Sequence, residues 1–332
     1  MDIQISGASD PGGSGVDGFE HAWNQSATWT PTQTKQVEET WTGATFTATT
    51  NGDWYFHIAT VDNAGNWTNT VHLGPFRIDT TPPFVPANLS PASGSYSNDT
   101  TPTLSWDAST DTGGSGMRTT NTYRVIITGT PSRDYYTANT FYTPTLAEGL
   151  FTWKVRARDN AGNNSAYTAD HTLIIDITNP TDPIPSSTSH TVGVPSNDTA
   201  VDIVVSGATD PVSSGVSSGV DGFDTAWDQN PTWIATEVKD QEETWIGGTF
   251  TAPSDGDWYF HIATVDNVGN WTSTATLGPF RIDTDPPTVT ITDNEPGTAN
   301  IAGGDVTYTF DFSEPVTGFD ATDVTVANGT RG

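Results

Sequence analysis

The chain has 332 residues and a formal net charge of −29, with 11 Lys plus Arg against 40 Asp plus Glu. That balance excludes nucleic acid, whose phosphates demand basic groups, and docking on an anionic membrane surface. With no Cys there is no disulfide framework, thiol nucleophile or Cys-ligated zinc site, and no apolar run reaches the ~18 residues of a membrane span.

The length suits two to three domains. Only 33% of residues are hydrophobic while 11% are aromatic, so the cores must be largely aromatic, which suits thin sandwiches. The 32 Gly, 22 Pro and abundant Thr describe turns and strands, and no stretch has helical periodicity. The acid is mostly Asp, 31 against 9 Glu. Asp favours turns and also supplies hard oxygen ligands for Ca²⁺.

The chain opens on Met1-Asp2-Ile3-Gln4-Ile5, with no signal-peptide pattern. Ile3 and Ile5 align with Ile203 and Val205 of a later copy, where VPSNDTAV precedes them, so the chain reads as a fragment of a longer protein at both ends. The segment DGFEHAWNQSATWTPTQTKQVEETW, from Asp17 to Trp41, has a copy at Asp221 to Trp245. GDWYFHIATVDNAGNWT at Gly52 to Thr68 returns at Gly256 to Thr272 with one substitution in seventeen positions, and LGPFRIDT at Leu73 to Thr80 returns unchanged at Leu277 to Thr284. FTWKVRARDNAGN, at Phe151 to Asn163, is a more distant relative between them. Repetition at this spacing means an array of small modules.

Acidic, Pro-rich junctions at Asp79 to Pro83, Asp176 to Pro183 and Asp283 to Pro287 punctuate the array. They predict modules at 1–83, 84–183, 184–287 and 288–332, joined by stiff linkers into a semi-rigid rod. In the middle module Phe151, Trp153, Val155 and Ala157 alternate with Thr152, Lys154, Arg156 and Arg158, a half-buried antiparallel strand. The same register puts Trp54, Phe56, Ile58 and Thr60 inward and Tyr55, His57, Ala59 and Val61 outward, with Trp258, Phe260 and Ile262 inward in the later copy. His57 and His261 are therefore expected in solvent.

LAEGLFTWKVRARDNAGNNSAYT at Leu146 to Thr168 resembles the penultimate-strand region of fibronectin type III-like and bacterial immunoglobulin-like repeats, where an aromatic strand ends in a D-x-A-G-N turn. GDWYFHIATVDNAGNW looks like the same element. GGDVTYTFDFSEPVTGFDATDVTV, at Gly303 to Val326, is similar to another bacterial immunoglobulin-like module common in long surface adhesins. The resemblance implies an all-β tandem array of antiparallel β-sandwiches, its first and last modules incomplete, in an extracellular or cell-surface bacterial protein. Fold alone does not give function.

Three acidic elements recur: the loop Asp10, Asp111 and Asp210, the turn Asp62, Asp159 and Asp266, and the junction Asp79, Asp176 and Asp283. Turn chemistry and solubility account for such residues. Loops cluster at the ends of a sandwich, so some of these carboxylates are also Ca²⁺ candidates near module boundaries, although none has EF-hand spacing. Of 12 Trp, ten form five matched pairs. Trp23 and Trp227 are candidates for stacking on glycans, against the alternative that they cap the sandwiches. Trp106 and Trp153 are expected to face each other across the middle core. No catalytic motif is present, and the adjacent Glu38-Glu39 and Glu242-Glu243 cannot share one face of a strand. The expected partners are neighbouring modules, with surface glycans or proteins beyond them. The expected function is a non-catalytic structural or adhesive stalk, with an accessory or carbohydrate-binding region of a secreted hydrolase as the alternative. A self-associating filament, pairing through the strand edge left open on the first module, is a third reading.

Overall fold

The computed structural model describes residues 1–295, 297, 305–327 and 330. Gly303 and Gly304, which open the last segment singled out above, lie outside them. Among the described residues the regular structure is strand, apart from one 3-10 turn at Ala321–Asp323. Runs of Val, Ile, Thr and aromatic residues at period two explain the strands. The chain divides into two compact units. One is Met1–Asn179 with Asp210–Gly219 and Asp266–Asn270; the other is Pro180–Thr209 with Val220–Val265 and Trp271–Gly332.

The middle repeat is a sandwich. One sheet runs Arg133–Thr137, Tyr123–Thr128, Gly149–Ala157, His171–Ile175 and Ser95–Ser97, the last pairing being parallel. Phe141–Tyr142 pairs with Leu104–Ser105 as a second, smaller sheet. Phe151, Trp153, Val155 and Ala157 are all buried and the residues between them are half-buried, so the alternation holds. Trp106 and Trp153 meet in the core with ring centroids 6.4 Å apart.

In the first repeat, Val37–Glu38, Val16–Asn24, Gly52–Asp62 and Val71–Ile78 form a four-stranded sheet, and Asp2–Gln4 pairs with Gly43–Thr45. The third repeat has the matching sheet of Pro195–Ser196, Ala275–Ile282, Gly256–Asp266, Val220–Asp228 and Gln241–Glu242. Its second sheet is Ile184–Ser187, Ala200–Ser206 and Gly247–Thr251. Gly43 and Gly247 lie at φ +126° and +128°, and a Cβ at either would collide with the carbonyl oxygen of Ile3 or Ile203. The glycine is what lets the short strand close. Val201, Ile203, Phe223, Trp258, Phe260, Ile262, Phe280 and Ile282 build the third core. A hairpin of Val289–Asp293 and Tyr308–Phe312 follows, with Phe319 packed on Phe310 and Phe312.

One expectation is corrected. The face of the central strand expected in solvent is covered: His57 and His261 are 0% exposed, and Ala59 and Val61 are buried as well. The long segment after the preceding strand folds back over this face. Trp29 stacks on His57 at 5.9 Å, Trp233 lies 5.6 Å from His261, and the Asn230 carbonyl meets His261 Nε2 at 2.9 Å. The strand is therefore covered on both faces, most fully in the third repeat, where every residue from Phe260 to Asp266 is buried. The inward register does transfer, with Trp54, Phe56, Trp258, Phe260 and Ile262 buried and Ile58 and Thr60 half-buried; what does not transfer is the charged outer face of the middle repeat.

Phe260 is 0% exposed whereas Ile234 is 84% exposed. Phe260→Ala is expected to cost about 3–5 kcal/mol in denaturant unfolding, and Ile234→Ala to stay within about 0.5 kcal/mol of the parent. Equal effects would contradict this placement of the core.

Candidate functional site

The acidic loop and the acidic turn form one frame in each repeat. Oδ2 of Asp10, Asp111 and Asp210 accepts the backbone N–H of Gly15, Gly116 and Gly219 at 2.9, 2.7 and 2.7 Å. Asp62 and Asp266 end the central strand, and Asp159 lies just beyond its end at Ala157. Their Oδ1 accepts the backbone N–H of Asn66, Asn163 and Asn270, and their Oδ2 accepts the side-chain amide of the same Asn. The turn needs the left-handed backbone of Gly65, Gly162 and Gly269, at φ +86°, +100° and +90°. Side-chain amides of Asn63, Asn160 and Asn267 tie turn to loop through the carbonyls of Ser14, Ser115 and Ser218, at 3.0, 3.0 and 2.8 Å.

Junction aspartates complete this frame in two places. Asp79 Oδ2 accepts the Ser115 N–H at 2.7 Å, and its carbonyl accepts the Asn163 amide at 3.1 Å. Asp176 repeats this with Ser218 at 2.6 Å and Asn270 at 3.1 Å. Carboxylate oxygens of Asp79, Asp111 and Asp159 thus lie within 4.8 Å of one another, and so do those of Asp176, Asp210 and Asp266. The sequence repeat groups a junction Asp with its own module. In space it joins the loop and turn of the following one, because the last strand of a repeat ends against them. Asp10 and Asp62 line a cleft of about 160 Å³ with no junction carboxylate. Asp283 accepts the Asp285 N–H and joins neither cluster.

Burial makes the clusters electrostatically demanding. Asp159 and Asp176 are 0% exposed and Asp266 1%, and among the described residues no Lys or Arg forms an ion pair with any of the six. Two ionised carboxylates this close repel by about 3–4 kcal/mol at an effective dielectric of ~20. Backbone N–H donors offset part of that. Asp210 Oδ1 is buried and accepts no hydrogen bond among the described residues. An all-oxygen donor set of this kind suits a hard cation such as Ca²⁺. Burial pushes Asp79 up, but hydrogen bonds from the side chain and backbone of Ser115 and from the backbone of Thr81 hold it below the ordinary carboxylate value. Asp62 is lowered chiefly by the Asn66 amide.

Trp23 and Trp227 are engaged with other rings. Trp23 stacks on Trp54 at 5.4 Å and packs on Phe46 and Phe76; Trp227 stacks on Trp258 at 5.5 Å and packs on Phe250 and Phe280. Their indole N–H groups donate to the carbonyls of Thr47 and Thr251. Both rings extend the aromatic core toward its rim.

Sequence reasoning missed a second pair of buried carboxylates. Glu20 and Asp224 are 1% and 3% exposed and hold the covering segment by accepting from the backbone and hydroxyl groups of Thr32 and Thr236. Burial raises Glu20, but hydrogen bonds from Thr32, Thr34 and Gln33 bring it below its usual value. The available signal was an acid directly after the buried Phe19 and Phe223, at the same place in both copies of the strand.

Residues 283–332 match the family model described as bacterial Ig-like domain. Exoglucanase B of Cellulomonas fimi is 42% identical over 93 residues, 27% of this chain and 8% of that protein. The chain thus spans a small part of the curated relative it matches. Among solved structures, the fibronectin(III)-like modules of Clostridium thermocellum CbhA align at 13% identity and TM-score 0.34, over 59% of this chain and 94% of that one. Chitinase ChiA74 from Bacillus thuringiensis aligns at 18% identity and TM-score 0.25, over 63% of this chain and 29% of that one.

The lowered carboxylates set a direction with pH. Their folded pKa lies below the unfolded value, so the stability they contribute is present above the unfolded value, near 4, and is lost as pH falls through the folded one. Thermal melts between pH 6 and 2 should show a steady loss beginning below about pH 4.5. Glu20→Gln should flatten part of it; an unchanged acid limb would contradict the assignment.

Proposed function

We propose that this chain is a non-catalytic spacing segment of a secreted or surface-displayed bacterial protein, whose junctions are closed by Ca²⁺. The observation that carries this reading is the pair of acidic clusters. Each takes one carboxylate from the end of a repeat and two from the loop and turn of the next, with no basic partner among the described residues. Asp79, Asp111 and Asp159 would hold one ion, and Asp176, Asp210 and Asp266 the other. The cation would neutralise the buried charge, so that docking of the junction becomes favourable where calcium is plentiful. Strands packed as structural modules, and the absence of a catalytic motif in the sequence, support a mechanical role. No helix among the described residues is long and apolar enough to cross a membrane.

A second reading, an accessory region of a polysaccharide hydrolase, is favoured by the similarity to exoglucanase B. Retention on insoluble cellulose or chitin, lost in Trp23→Ala or Trp227→Ala, would support it over a plain spacer.

Calorimetric melting in millimolar Ca²⁺ and in chelator tests the calcium reading. A ligand at a thousandfold excess over its Kd adds about 4 kcal/mol to the native state, so a clear upward shift is expected. Asp176→Asn should remove part of that shift. A melt indifferent to chelator would sink the proposal.

A further inference from the structure

We infer that the Asp10–Asp62 cleft of the first repeat is a docking site for a junction segment of the type Ile-Asp-x-Thr, supplied by a neighbouring module. The chain itself shows what such a cleft holds, because it fills the equivalent clefts twice. In the middle repeat the segment Ile78 to Phe84 makes three anchors: the Asp79 carboxylate accepts the Ser115 N–H, the Asp79 carbonyl accepts the Asn163 amide, and the Phe84 N–H donates to the Thr110 carbonyl at 2.9 Å. The later instance keeps all three. Asp176 accepts from Ser218 and Asn270, and the Thr181 N–H donates to the Thr209 carbonyl at 2.7 Å.

The first repeat carries the same receiving groups: the Ser14 N–H, the Asn66 amide and the Ser9 carbonyl. Its frame is already built, since Asp10 holds Gly15, Asp62 holds Asn66, and Ala64 donates to the Ser14 hydroxyl as Ala161 does to Ser115. Among the described residues the Ser14 N–H and the Ser9 carbonyl meet no hydrogen-bond partner, and the Asn66 amide donates to Asp62 alone, where Asn163 and Asn270 donate to a junction carbonyl as well. Ser9, Ser14 and Asn66 are exposed, whereas Asn163 and Asn270 are half-buried, and Asp62 is half-buried where Asp159 and Asp266 are buried. The cleft beside them is lined by Ser9, Asp10, Val16, Asp62, Asn66 and Trp67. A receiving frame that is prebuilt loses little entropy on docking. The bonds it offers are a charge-assisted N–H to carboxylate and two backbone anchors, so the occupant is defined by its Asp and by backbone spacing rather than by bulk.

This inference goes beyond the calcium reading and stands on hydrogen bonds that do not require an ion. The test is a titration of the full ¹⁵N-labelled chain with a synthetic peptide of residues 76–84, in Ca²⁺ and in chelator. Saturable amide shifts are expected at residues 9–15 and 62–66 and not at 110–116 or 159–163, whose clefts are filled. A peptide with Asn in place of its Asp should bind about tenfold more weakly, as loss of one charge-assisted bond implies. No saturable shift at ~5 mM peptide, an affinity below about 3 kcal/mol, or equal shifts at all the clefts, would overturn it. If docking fails while calcium still raises the melting temperature, this inference falls and the calcium reading stands. If docking is seen in chelator with no calcium effect on melting, the reverse holds.

Discussion

The arrangement depends on one electrostatic constraint: carboxylates that are too close and too buried to be left uncompensated. Asp176 and Asp266 are 0% and 1% exposed and share a space less than 4.8 Å across with Asp210. An arrangement of this kind persists only if something offsets the repulsion, and hydrogen-bond donors are the first contribution. The donors are visible in the backbone N–H groups of Ser218, Gly219 and Asn270. They are presented by a glycine-containing turn and a Gly/Ser loop, so the sequence around each Asp is fixed by what the Asp must receive.

A second constraint shapes the repeats that flank the middle one. Their central strand turns His57 and Ala59, or His261 and Ala263, to its second face, and these are buried, so each repeat carries its own cover. The segment holding Trp29 or Trp233 supplies it, and the buried Glu20 or Asp224 pins that segment in place through Thr32 or Thr236. The middle repeat instead carries Lys154 and Arg156 on that face, half-buried with their side chains over the Tyr167 ring. That face is only half-buried. Sequence drift between repeats thus follows a difference in what the second face of the sheet has to do.

Much of this was legible from residues alone. Period-two alternation at Phe151 to Ala157 gave the strand, its buried face and the meeting of Trp106 with Trp153, because one face there is charged and only one register is possible. The three recurrent acidic elements were also legible, since identical positions in diverged repeats stand out. Convergence near module boundaries was expected, but which junction Asp joins which loop was not legible, because Asp79 meets its partners 32 and 80 residues later and Asp176 meets its own 34 and 90 residues later, separations no local pattern encodes. The buried His57 was missed for a related reason. A register carried over from the middle repeat assumed a solvated face, and the covering Trp29 comes from a segment with no regular pattern of its own.

Stoichiometry of calcium binding tests the central claim most directly. Calorimetric titration of the intact chain should show two strong sites, one per cluster, and Asp210→Asn should leave one. Absence of saturable binding, or a stoichiometry unchanged by Asp210→Asn, would mean that these carboxylates are balanced by hydrogen bonds and protons alone, and that calcium has no part in closing the junctions.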